Sequence, residues 1–202
     1  SDTLRLQENY ATVNLKETFS AISFIFKFTV FFEIIGTIAL VLVWQDKFTS
    51  FGQTLYYAIF HSISAFCNAG FSLFPDSLIS FQFHTPTLII MSFLIIFGGL
   101  GFPVLFNTFQ NLFKKNPLPL KIHTRLALNV TIGLILIGTL LIFISEYQNS
   151  FAGLSLTEQF KLSFFQSVTT RTAGFSTIDL NMFQPSALMA MMLLILIGVE
   201  AV

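Results

Sequence analysis

Two short strings in this chain are built alike and contain the residues best suited to hold an ion. The first reads Phe60-His61-Ser62-Ile63-Ser64, then Asn68-Ala69-Gly70-Phe71-Ser72. The second reads Phe165-Gln166-Ser167-Val168-Thr169, then Thr172-Ala173-Gly174-Phe175-Ser176. Gly70 and Gly174 stand 104 residues apart, and the strings before them match with one residue of slippage. The chemistry such a string could do is ion coordination by the main chain. A bare alkali cation needs its hydration shell replaced by oxygens, and backbone carbonyls aimed at one axis supply them. Glycine adopts the φ values that turn carbonyls inward. A short helix ending at the site adds a partial negative charge that favours a cation. Candidate carbonyl donors are Asn68, Gly70, Thr172 and Gly174. Ala69 and Ala173 are small enough for close packing, and Phe71 and Phe175 would anchor each loop in an apolar surround.

The elements that must position these loops are apolar. Hydrophobic residues make up 54% of the 202 and charged residues 10%, against roughly 25% charged in soluble domains. The mean hydropathy is +0.78. So few charges cannot wet a globular surface, and lipid is the solvent that suits the chain. The expected fold is therefore all-α and membrane-embedded. Four apolar stretches are candidate spans: Phe28–Trp44, Thr87–Phe106, Leu126–Ile144 and Pro185–Gly198. A bilayer core needs about 20 apolar residues as helix, which the second and third approach. Pro86 and Pro185 suit the first turn of a helix. Gly52–Phe66 and Thr157–Thr170 are helical in pattern but too short and polar to span. Each precedes a glycine-containing loop, so each reads as a re-entrant helix whose loop is covered by protein or water. A surface amphipathic helix is the alternative.

Span, short helix, loop, span therefore occurs twice in parallel orientation. The expected organisation is a cytoplasmic segment over 1–18, a first unit over 19–113, a basic cytoplasmic linker over 114–125, and a second unit over 126–202 whose last span is short. Lys114, Lys115, Lys121 and Arg125 place the linker inside by the positive-inside rule. Both short helices then enter from outside. Zero net charge and the absence of a basic stripe argue against nucleic acid. The single cysteine, Cys67, rules out an intrachain disulfide. The polar N-terminal stretch has no signal-peptide pattern, and the chain reads as a fragment of something longer.

Several polar residues have two readings. Asn68 and Thr172 give either a carbonyl to an ion or a side chain that braces the loop. Arg171 beside the second loop would repel a cation, so a bracing role suits it better, and Cys67 is expected to support the first loop in the same way. Asp76 and Asp179 either concentrate cations in an outer vestibule or are solvated turn acids. Glu33 either senses cations or pairs with a neighbouring helix. His61 and Gln166, at matching positions, are expected to hydrogen-bond between helices. Gly98, Gly99, Gly101 and Pro103 form either a hinge or a close-packed helix face. An intramembrane enzyme using Ser62, His61 and Asp76 lacks a workable spacing, and catalysis needs no duplicated site. A non-conducting scaffold or accessory subunit is the other rival.

Asn68-Ala69-Gly70-Phe71, the run from Ser167 to Phe175 with its Thr-Thr-Arg-Thr core, and Gly98-Gly99-Leu100-Gly101-Phe102 together resemble the Trk/Ktr/HKT superfamily of potassium transporters. The resemblance covers nearly the whole chain and matches repeats two and three of that family. It implies a potassium-channel-like fold of tandem M1–pore helix–filter loop–M2 repeats, four in one chain around one pore, with one filter glycine each. It implies potassium as the transported ion, with sodium as a competing or coupled ion, and no cofactor. It also implies a homodimer in a bacterial cytoplasmic membrane, bound to a cytoplasmic nucleotide-binding ring. Two departures stand out: two repeats cannot surround a four-fold axis, and Gly198 is followed by Val199-Glu200-Ala201-Val202 rather than by the family's glycine-rich gating loop.

Overall fold

A computed structural model describes the backbone of residues 2–112 and 120–200. The described residues are helical, with no strand among them. α1 (Asp2–Trp44) leads to a short helix α2 (Phe51–Phe66), a loop with a 3-10 turn at Ile79–Phe81, and α3 (Thr85–Gly99). α4 (Phe102–Leu112) follows. The second unit repeats the pattern with α5 (Ile122–Glu146), short helix α6 (Leu156–Thr169), a 3-10 turn at Leu180–Met182, and α7 (Pro185–Glu200).

Local chemistry sets the ends of these helices. Ser50 caps α2 by accepting the Gln53 amide at 3.3 Å. Ser155 and Glu158 form a reciprocal capping box at the start of α6, satisfying two amides that a helix start leaves free. Pro86 and Pro185 both lie in the first turns of their helices, as expected. The short helices begin and end within one residue of the sequence-derived limits. The stretch from Ile22 to Trp44 and the whole of α5 are long and apolar enough to cross a membrane. Their outward faces carry Ile38, Leu42, Leu136, Leu140 and Ile144, all exposed as lipid-facing side chains would be.

The second candidate span is not one continuous helix. It breaks at Leu100–Gly101, and α4 leaves α3 at 99°. Gly101 carries φ +76°, a left-handed value that glycine adopts without strain. Gly98 serves the other reading: a Cβ there would lie 2.7 Å from the Phe66 carbonyl carbon, with its oxygen nearer still. The glycine string is thus both a break and a packing face. Lys114 and Lys115 of the basic linker lie outside the described residues.

One pair of contacts repeats across the two units and leaves no local pattern in the sequence. The Ser62 hydroxyl donates to the Glu33 carbonyl at 2.8 Å, and the Ser167 hydroxyl donates to the Ile135 carbonyl at 2.9 Å. Three residues further on stand Gly36 and Gly138. A Cβ at Gly36 would meet Leu94 at 2.8 Å, and one at Gly138 would meet Leu194 at 2.7 Å, with the serine hydroxyls closer still. Each glycine lets the short helix and the following span nest against the first span.

At the far end of α5, Glu146 is fully buried. Its carboxylate accepts the Gln184 amide at 2.8 Å and the Asn149 side-chain amide at 2.8 Å. An anion at the N-terminus of α7 is favourably placed. Glu146→Gln puts an NH2 group among these donors and is expected to cost about 1–3 kcal/mol. Thermal unfolding in detergent checks this as a lowered melting temperature.

Candidate functional site: the paired glycine loops

The two loops leave the C-termini of α2 and α6 with the same backbone signature. φ is +50° at Asn68 and +71° at Gly70 in the first, and +76° at Thr172 and +80° at Gly174 in the second. The alanines between them are not left-handed. A left-handed residue at every second position flips every second peptide plane, so successive carbonyls can face one side. Asn adopts such values more readily than most residues, but a β-branched Thr does so only as an outlier, and strained backbone of this kind clusters at functional sites.

The hydrogen bonds divide the loops cleanly. Amide groups are tied back to the short helices: Ala69 N–H to Ser64 O at 2.9 Å, and Ala173 N–H to Thr169 O at 2.9 Å. The carbonyls of Phe71 and Phe175 are held by hydroxyls of the same helices, Ser64 at 2.7 Å and Thr169 at 2.8 Å. Between these anchors, the carbonyls of residues 68–70 and 172–174 accept no hydrogen bond among the described residues. These six main-chain oxygens carry no hydrogen bond among the described residues, and that of Ala173 lies against Gly70 of the other loop.

The loops also touch. A Cβ on Gly70 would lie 3.0 Å from Gly174 Cα, with the Ala173 oxygen closer. Gly174 is less crowded, its nearest neighbour being Gly70 Cα at 3.4 Å. A cavity of ≈ 290 Å³ opens beside the second loop, lined by Gln166, Thr169, Thr172, Gly174 and Ser176 among others.

The supporting residues diverge between the units. With its amide set to match its neighbours, Asn68 donates to the Ile95 carbonyl at 3.2 Å and accepts the Gly99 amide at 3.3 Å. Its side chain braces the loop against the end of α3, while its carbonyl stays free. Thr172 is exposed. Ala173 and Phe175 are buried, as an anchor requires, but Phe71 is 69% exposed. No described residue covers it, so among the described residues only the second loop has its aromatic anchor. Cys67 is exposed, its thiol 3.8 Å from Glu33 Oε1. Arg171 is buried, and its Nε has no hydrogen-bond partner among the described residues. Its aliphatic stem lies against Gly198. His61 is enclosed by Trp44, Tyr57 and Phe74 rings, with Nδ1 2.8 Å from the Tyr57 carbonyl and Nε2 3.0 Å from the Ser72 hydroxyl. Gln166, in the matching place, keeps an unpaired buried Oε1.

Asp76 and Asp179 both organise turns. Asp76 accepts the Ser80 amide at 2.9 Å and the Ser80 hydroxyl. Those bonds hold its carboxyl below the usual carboxylate range, so it remains charged at neutral pH. Asp179 accepts the Asn181 amide at 3.0 Å.

Apolar helix, short helix, glycine loop and apolar helix, present twice among the described residues, belong to an all-helical multi-pass membrane protein. The chain belongs to the TrkH family of cation transport proteins, whose profile matches residues 2–202. It is 42% identical over 168 residues to the Ktr system potassium uptake protein B of Vibrio alginolyticus, covering 82% of this chain and 36% of that protein. It is 36% identical over 176 residues to the protein of the same name from Bacillus subtilis, covering 86% and 39%. It is 37% identical over 194 residues to the potassium/sodium uptake protein NtpJ of Enterococcus hirae, covering 92% and 41%. The chain thus spans about two-fifths of the length of these curated relatives.

Proposed function

We propose that this chain forms part of a potassium uptake pathway, in which the two glycine loops are adjacent walls of a selectivity filter. The observation that carries this is the set of unpaired carbonyls at residues 68–70 and 172–174, flanked on both sides by tied-back groups. A dehydrated potassium ion is the partner such oxygens suit. Asn68, Gly70, Thr172 and Gly174 supply carbonyls, Ala69 and Ala173 allow the close approach, and the helix C-termini add favourable potential. Arg171 braces the second loop from behind, and Cys67 flanks the first. Asp76 and Asp179 raise the local cation concentration at the outer mouth. The relatives named for potassium, and for potassium and sodium, support the choice of ion and leave sodium as a second permeant or coupled species.

Two loops form only part of a closed ring. The complete pathway therefore takes further repeats, and we place it in a bacterial cytoplasmic membrane as a homodimer with a nucleotide-binding ring on the cytoplasmic side. The test is growth of cells lacking their own potassium uptake systems at submillimolar potassium. Expression of the protein carrying this chain restores growth, and Gly70→Ser abolishes the rescue at equal membrane abundance. Equal rescue by both would remove the loops from the pathway.

A further inference from the structure

Ser77 lies outside both loops, on the outer turn that follows the first of them, and it touches both. Its φ is +57°, a left-handed value at a residue that is neither glycine nor asparagine. Its hydroxyl accepts the amide of Ser176, two residues beyond Gly174, at 3.1 Å. The amide of the next residue, Leu78, donates to the Ser176 carbonyl at 2.9 Å. Both main-chain groups of Ser176 are thus held by the other repeat. On its opposite side, the Ser77 carbonyl lies 3.1 Å from the Ser72 hydroxyl, directly after Phe71. Ser72 also faces His61 of the short helix at 3.0 Å and accepts the Phe74 amide at 3.0 Å. One residue therefore joins the outer end of the first loop to the outer end of the second.

Left-handed backbone at a non-glycine residue persists only where the surroundings hold it. The Leu78–Ser176 bond and the Ser77 hydroxyl supply that hold here. The second loop gets nothing equivalent from its own turn: the Ser176 hydroxyl is engaged with the Ile178 carbonyl, and Asp179 caps Asn181.

We propose that Ser77 is a positioning residue for ion selectivity, fixing the outer spacing of the two glycine loops by clasping Ser176 from the neighbouring repeat. The proposal rests on the pore reading given under Proposed function. Ion preference depends on how far apart the carbonyl oxygens can relax, so a clasp at the outer end acts on preference more than on total flux.

The test uses Ser77→Gly in the full protein carrying this chain. Glycine permits the left-handed backbone and removes the CH2OH group, and with it the hydroxyl that accepts the Ser176 amide. Two readouts are taken beside wild type and Gly174→Ser: the ratio of rubidium to sodium tracer uptake in proteoliposomes, and hydrogen exchange of the peptide containing Ser176. The expected result is a rubidium-over-sodium ratio lowered about fivefold, the value of one lost hydrogen bond, with exchange at Ser176 faster by a similar factor. A ratio is insensitive to how much protein folds, so a general loss of structure does not imitate it. If Gly174→Ser shifts the ratio while Ser77→Gly does not, the clasp is overturned and the pore reading stands. Unchanged exchange at Ser176 also overturns it. If wild type carries neither ion, the pore reading fails and the selectivity role of Ser77 fails with it.

Discussion

Replacing Gly70 with serine is expected to abolish most of the preference for rubidium over sodium, by at least about tenfold. Two costs combine at this position. A side chain at φ +71° is strained, by roughly 1–2 kcal/mol for left-handed backbone. The new Cβ would also press on the main chain of the facing loop, 3.0 Å from Gly174 Cα and closer to the Ala173 oxygen. Main-chain atoms cannot rotate aside, so the loops must separate. Since about 1.4 kcal/mol corresponds to a factor of ten, either cost alone is enough to register. Gly174→Ser shares the first cost but meets only Gly70 Cα at 3.4 Å, so its effect should be the smaller of the two. Tracer uptake by the two variants in parallel gives the order.

The largest effect on stability is expected at Gly98. Alanine normally favours a helix over glycine by about 1 kcal/mol. At Gly98 the added methyl would overlap the end of α2, 2.7 Å from the Phe66 carbonyl carbon and 3.2 Å from its Cα. Overpacking of this kind costs about 1–3 kcal/mol or more, and the obstacle is again backbone. Gly98→Ala should therefore lower the melting temperature of the detergent-solubilised protein. Gly133→Ala is the control: it lies within α5 with nothing within 4 Å of the added carbon, so it should be neutral or stabilising. A Gly98→Ala protein as stable as Gly133→Ala would mean that α3 does not pack on the short helix in this way. Because Asn68 binds Ile95 and Gly99 at the same place, the shift at Gly98 should also disturb the first loop.

The duplicated unit was legible because the strings repeat and because helix starts carry their own signals, Ser50, Ser155 and Pro86 among them. The left-handed turns at Gly70 and Gly174 were legible for the same reason. The break after Gly99 was legible only as one of two readings: a glycine string in an apolar run serves close packing and chain reversal equally well, and here it does both, with a left-handed φ at Gly101 and Gly98 against Phe66. Equivalent loops also suggested equivalent anchors. Phe175 is buried and Phe71 is not, since burial depends on which neighbours a loop meets. Gly36 and Gly138 lay in plain sight at matching positions. Their role needs the facing serines, which come from another helix and leave no local pattern. Ser77 had no signal at all, because its partners are 99 positions away at Ser176 and on the other side at Ser72.

On the function proposed above, backbone carbonyls of these loops select the ion. Rubidium and sodium tracer uptake by the full protein in proteoliposomes, wild type beside Gly174→Ser, tests it most directly. Wild type is expected to take up rubidium in preference to sodium, and the variant to show a reduced preference while still inserting into the membrane. Wild type that conducts neither ion, or a variant with the same preference as wild type, would contradict it.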